Sequence, residues 1–147
     1  MVFEPPFQPI DWGLVSARKD KNATCLKRLD LLIARFAPET LVLEAYDRET
    51  SRRARRIARL GVRARQLADA RGIHTAVYGR ADIRAAFAEV GARTRREIAE
   101  AVARHLEVFA HRLPPRRKPW DSEDAREALF AAAAVGLTHY RLDHLST

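Results

Sequence analysis

An α/β fold is what this sequence predicts, and three observations carry it. Leu41-Val42-Leu43, closed by Glu44, is apolar on consecutive residues, the pattern of a strand covered on both faces by helices. A second short strand pattern, Thr75-Ala76-Val77-Tyr78, comes after one long helical segment, and strand, helix, strand favours a parallel crossover. The segments around them carry apolar residues at three- and four-residue spacing, the mark of amphipathic helices. At 147 residues, 47% hydrophobic and 31% charged, the chain is expected to be one soluble domain around one core rather than a disordered or fibrous polymer.

Along the chain, Val2-Phe3 reads as a strand remnant, and Pro5, Pro6 and Pro9 interrupt the segment after it. Trp12 to Ala17 alternates as a strand, and Lys19-Asp20-Lys21-Asn22 offers a turn and a cap. The spacing of Cys25, Leu29, Leu32, Ile33 and Phe36 predicts a helix over Ala23 to Phe36 with those residues inward, ended by Pro38. Cys25, the single cysteine, cannot form an internal disulfide and reads as a small buried hydrophobe. Thr40 to Tyr46 is the central strand. A long helix then reaches Ala70, with Ile57, Leu60, Ala64, Leu67 and Ala68 as its buried stripe and Gly72 at its C-terminal cap. Ala81 to Val90 is a short helix stopped by Gly91. Thr94-Arg95-Arg96-Glu97 is a capping box opening a helix through Ile98, Val102, Leu106 and Phe109. His111 to Trp120 is a basic, proline-rich loop. The last helix is expected from Ser122 to His139, with Ala125, Leu129, Ala132, Ala133 and Leu137 inward.

The net charge is +8, and Ser51 to Arg65 alone holds seven arginines and no acid. Such a block points to a polyanion partner or an anionic membrane surface, against the plainer reading of a solvated helix face. The longest uncharged apolar run, Ala128 to Leu137, has ten residues, too few to cross a bilayer. The N-terminus lacks the basic and then hydrophobic pattern of a secretory signal, so no membrane association and a cytoplasmic address are expected.

Against this basic background two groups of acids stand out: Glu44, and Asp121-Ser122-Glu123-Asp124 at the opening of the last helix. Asp121 and Asp124 are three apart and share a helical face, whereas Glu123 points elsewhere. If the fold brings Glu44 to them, their mutual repulsion is relieved by a divalent cation, and paired cations suit phosphodiester chemistry. Acids at a helix start also cap free N–H groups and complement the helix dipole, which accounts for the aspartates without a metal. Glu44 is harder to explain that way, because a carboxylate closing a buried run suffers desolvation unless a cation meets it. No glycine-rich phosphate loop, paired-cysteine zinc motif or nucleophile elbow is present, and the five histidines show no metal-ligand spacing.

In this order of elements, Glu44 at the end of a central strand, then helix, strand, two helices, and Asp121-x-x-Asp124-Ala125 opening an alanine-rich last helix, the chain resembles the RuvC-type Holliday junction resolvases of the RNase H-like superfamily. The resemblance runs from about Trp12 to about Tyr140 and implies a mixed sheet flanked by helices. It also implies a Mg2+ site, with Mn2+ an alternative, in which Glu44, Asp121 and Asp124 are the catalytic and metal-binding acids. The activity implied is structure-selective cleavage of branched DNA by a homodimer. Arg52, Arg53, Arg55, Arg56, Arg59 and Arg63, with Arg116, Arg117 and Lys118 of the basic loop, would then contact phosphates.

One family acid lacks a counterpart. It sits in an Asp-x-Gly turn after a hydrophobic strand. Asp11-Trp12-Gly13 imitates the turn, but the prolines before it exclude a central strand because proline lacks the N–H. Val2-Phe3 is therefore expected to end the second strand of an N-terminally truncated domain whose first strand is missing. The cause would be a gene start placed too late, in which case the upstream frame encodes that strand, or descent to an inactive nucleic-acid-binding relative.

Overall fold

Strands β1 (Val2–Glu4) and β2 (Gln8–Asp11) are followed by α1 (Lys21–Phe36), β3 (Thr40–Glu44), α2 (Arg52–Ala70) and β4 (His74–Tyr78), and then by helices α3 (Arg80–Ala88), α4 (Arg95–His105) and α5 (Arg126–Leu145). The structure is a computed structural model that describes residues 1–5, 8–14, 17–45, 51–116 and 126–145. It is a mixed α/β arrangement with small sheets flanked by helices, divided into two compact units, Val15–Gly79 and Met1–Leu14 with Arg80–Thr147.

The first unit is the expected crossover. β3 and β4 are parallel, in register from Thr40 opposite His74 to Glu44 opposite Tyr78. α1 and α2 pack together, and Ile33, Ala68 and Ile73 form a core against which Leu29, Leu41 and Leu67 lie. α2 starts where Ser51 Oγ accepts the Ala54 N–H at 3.1 Å and ends at Gly72, whose φ of 69° suits a residue without Cβ. The smallest residues of its inner face, Ala54, Ala64 and Ala68, lie deepest, and the expected Ile57, Leu60 and Leu67 are half-buried.

α1 begins two residues earlier than its apolar spacing predicts and without the expected side-chain cap. Asp20 precedes it at φ 46°, and only its carbonyl is used, accepting the Thr24 N–H at 2.9 Å. The Asn22 side chain turns instead to α2. Its Nδ2 donates to the Arg56 carbonyl at 3.0 Å and its Oδ1 accepts from Arg56 Nη1 at 3.2 Å. Cys25 is half-buried rather than enclosed.

The second unit is built on a hairpin and three helices. β1 and β2 are antiparallel, pairing Val2 with Asp11, Phe3 with Pro9 and Glu4 with Gln8, with an irregularity between Val2 and Phe3. This corrects the strand expected over Trp12 to Ala17. Residues 12–14 are irregular and 15–16 lie outside the described residues, while the strand forms earlier and includes Pro9. A two-stranded ribbon tolerates the missing N–H that a central strand would not. Trp12 serves the core instead, with its ring edge-on to Phe109 at 5.0 Å between centroids.

α4 opens on the expected box, Thr94 Oγ1 accepting the Glu97 N–H at 3.1 Å. The helix expected to run through Phe109 stops at His105, and Glu107–Arg112 continues as a 3-10 turn that keeps Phe109 fully buried between Trp12 and Phe130. α5 buries Leu129, Phe130, Ala133, Ala134, Val135 and Thr138, but Ala132 is exposed and Leu137 half-buried. Leu129 and Ala133 face inward as the spacing predicts, but the buried face is turned so as to take in Phe130, Ala134 and Thr138 as well. A run of alanines gives no polar contrast from which to choose a face, and the choice falls to Phe130 and to Gly136, where the Phe3 ring lies.

Candidate nucleic-acid interface

Basic side chains dominate one side of α2 because its opposite side is spent on packing. At about 100° per residue, Arg52, Arg55, Arg59 and Arg63 fall within an arc of about 80° along roughly 16 Å of helix. All four are exposed, and none makes an ion pair among the described residues. Arg53 is exposed as well. Arg56 lies beside the stripe but differs in kind, being half-buried and held by Asn22. Its guanidinium is thus part of the joint between α1 and α2, which sequence spacing alone does not reveal.

Glu44 occupies the carboxyl end of β3, opposite Tyr78 at the carboxyl end of β4. Ligands of α/β folds gather at that end of parallel strands. Its surroundings, however, correct the burial expected of it. Leu41, Val42 and Leu43 are half-buried and Glu44 itself is exposed, so the carboxylate stays in water and burial does not demand a cation. Among the described residues β3 has a single strand neighbour, which is why its flanks are less covered than a central strand's.

Asp121, Asp124, Arg117 and Lys118 lie outside the described residues. Among the described residues no three His, Cys, Asp or Glu side chains gather into a set that could hold a metal ion. Likewise, no helix among the described residues is long and apolar enough to cross a membrane.

Sequence reasoning misses a cluster on α4. Arg96 Nε donates to Glu100 Oε1 at 2.9 Å, and Arg96 Nη1 donates to the Pro114 carbonyl. Arg116 Nη2 stands 3.5 Å from the same Glu100 oxygen. The Arg96 hydrogen bond is the chief reason the Glu100 carboxyl titrates below its ordinary range. Partial desolvation opposes it, and the fields of Arg116, Arg96 and Arg104 reinforce it. The spacing of four between Arg96 and Glu100 is a legible signal. Their link to Pro114 and Arg116 is not, because it depends on how the chain returns after the 3-10 turn.

The geometry defines a class of fold, an α/β arrangement similar to that of solved RuvC structures. T. thermophilus RuvC in complex with a Holliday junction substrate shares it at a TM-score of 0.61 and 20% identity, over 86% of this chain and 70% of that one. A second Thermus thermophilus RuvC structure matches at a TM-score of 0.60 and 21% identity, over 90% and 73% respectively. No family model and no curated protein matches the sequence.

Proposed function

We propose that this chain is a metal-dependent, structure-selective endonuclease acting on branched DNA such as Holliday junctions, with all 147 residues forming one RNase H-like domain in the cytoplasm. The observation that carries the reading is the shared fold, since one of the RuvC structures it matches is a complex with a Holliday junction substrate. The exposed arginine stripe of α2 supports it from this chain's own residues. A row of cations about 16 Å long suits a phosphate backbone, giving affinity without sequence readout.

In this reading Arg52, Arg53, Arg55, Arg59 and Arg63 contact phosphates, joined by Arg116, Arg117 and Lys118, and Arg56 acts mainly by holding α2 to α1. Glu44, Asp121 and Asp124 are the acids assigned to Mg2+ or Mn2+, and a bound cation would supply charge stabilisation at the scissile phosphate. The support for Glu44 is its place at the carboxyl end of β3, open to an incoming ligand. A homodimer belongs to the same reading, with sedimentation of the purified protein as its check.

The test is cleavage of a four-way junction by purified protein with Mg2+, beside Glu44→Gln. Cutting by the wild type and its loss in the variant support the reading. Tight, salt-sensitive junction binding by the wild type with no cutting supports the alternative, an inactive nucleic-acid-binding relative. Absence of salt-sensitive DNA affinity sinks both. Replacing Arg52, Arg55, Arg59 and Arg63 together by Ala is expected to flatten the slope of log affinity against log salt by about three to four.

A further inference from the structure

The guanidinium groups around Glu100 outnumber the single carboxylate they share. Arg96, Glu100 and Arg104 stand four residues apart and so line one face of α4. Arg116 reaches that face from the chain segment beyond Pro114. We propose that Arg104 and Arg116, on a segment held in place by Arg96, form a second phosphodiester-binding site, and that Glu100 is its built-in competitor, occupying the guanidinium cluster until a nucleic-acid phosphate displaces it. The inference rests on the nucleic-acid reading above and adds to it a site on the other unit of the chain and a residue that tunes it.

The arginines of the cluster have different duties. Arg96 is fixed at both ends of its guanidinium, by Glu100 Oε1 through Nε and by the Pro114 carbonyl through Nη1. It is a positioning residue that brings the 113–116 segment onto α4. Arg116 is different. Its side chain is 78% exposed, and it meets Glu100 at 3.5 Å, an ion pair without a short hydrogen bond. An exposed pair of that kind contributes little and exchanges readily. Arg104 is exposed and touches Glu100 only through its field. Two cations are therefore available to a phosphate, and the carboxylate that shares them, with its side chain 27% exposed, is accessible to displacement. A phosphodiester offers the same single negative charge and two free oxygens, so it can take the carboxylate's place beside the guanidinium groups while the Glu100 side chain turns to solvent.

The experiment compares Glu100→Gln with wild type in binding a labelled four-way junction over a salt series, with thermal melting of each. Removing the competitor is expected to tighten binding by about threefold to tenfold and to steepen the salt slope by about one, whereas Arg116→Gln and Arg104→Gln each weaken binding and flatten the slope by about one. The gain from Glu100→Gln should vanish in the Glu100→Gln, Arg116→Gln double variant. If Glu100 merely staples the segment to α4, Glu100→Gln lowers the melting temperature and leaves affinity unchanged or weaker, which overturns the proposal while wild-type binding keeps the nucleic-acid reading intact. Should Glu100→Gln fail to fold, the two exposed arginine variants decide, and unchanged binding in both overturns the site. If neither wild type nor variants bind, the nucleic-acid reading falls and the site falls with it.

Discussion

Gly136 lies in the middle of α5, where alanine ordinarily stabilises a helix by about 1 kcal/mol relative to glycine. Here a Cβ would lie 2.7 Å from Phe3 Cε2, so the ring that seats the N-terminal hairpin on α5 would have to move. Phe3 also meets Tyr140 edge-on, 6.1 Å between centroids, which limits where the ring can go. Gly136→Ala is therefore expected to lower stability by about 1 kcal/mol in the wild type, as overpacking outweighs propensity, and to raise it by about 1 kcal/mol in a Phe3→Ala background. Thermal melts of the four proteins in that cycle read the sign change directly. At this scale the sequence is legible only where a residue's role is local. Thr94 and Gly72 do what their types announce, whereas Asn22 and Arg56, 34 positions apart, find each other through packing that no local pattern records.

Helices and strands are legible in proportion to their contrast. α2 is clear, because arginines on one side and small apolar residues on the other leave one choice of inner face. Its interior still holds Gly61, around which a Cβ would meet no atom within 4 Å. Gly61→Ala is expected to stabilise the protein by about 0.5–1 kcal/mol, and Ser51→Ala to destabilise it by about 1 kcal/mol through loss of the cap to Ala54. Denaturant midpoints check both, and a destabilising Gly61→Ala would mean that something crowds the helix at that point. α5 offers little contrast, so apolar spacing finds Leu129 and Ala133 but misplaces the centre of the buried face. The same spacing overextends α4 because Leu106, Val108 and Phe109 have no breaker among them, and burial of Phe109 against two aromatic rings outweighs continuation of the helix. β2 departs from expectation because a proline argues strongly against a central strand and weakly against an edge.

For the whole molecule, the α/β class and the crossover are legible because they derive from the order of apolar runs, which survives errors of a few residues in each element. The candidate site is legible only as a set of residue types. Glu44 stands out in the sequence for a burial it does not have, and the Arg96–Glu100–Arg116 cluster depends on a chain return that the sequence does not announce. The molecule's response to pH has two limbs. Glu100 titrates below its ordinary 4.5, chiefly through the Arg96 hydrogen bond, so the folded chain binds that proton more weakly than the unfolded chain. Its contribution is complete above 4.5 and is lost as pH falls through the lowered value. Burial raises the Tyr140 hydroxyl above 10.0, so its contribution is complete below 10.0 and is lost as pH rises through the raised value. Denaturant midpoints across pH should fall on both sides, with Glu100→Gln flattening the acid limb and Tyr140→Phe the alkaline one. An acid limb unchanged in Glu100→Gln would remove that carboxylate from the account.

The proline inside β2 has one more effect. Sheet margins invite passing chains to zip onto them, and a ladder that lacks a donor and changes register is a poor template. Pro9 and the broken register between Val2 and Phe3 thus leave the hairpin an interrupted ladder, which disfavours growth by strand addition along it.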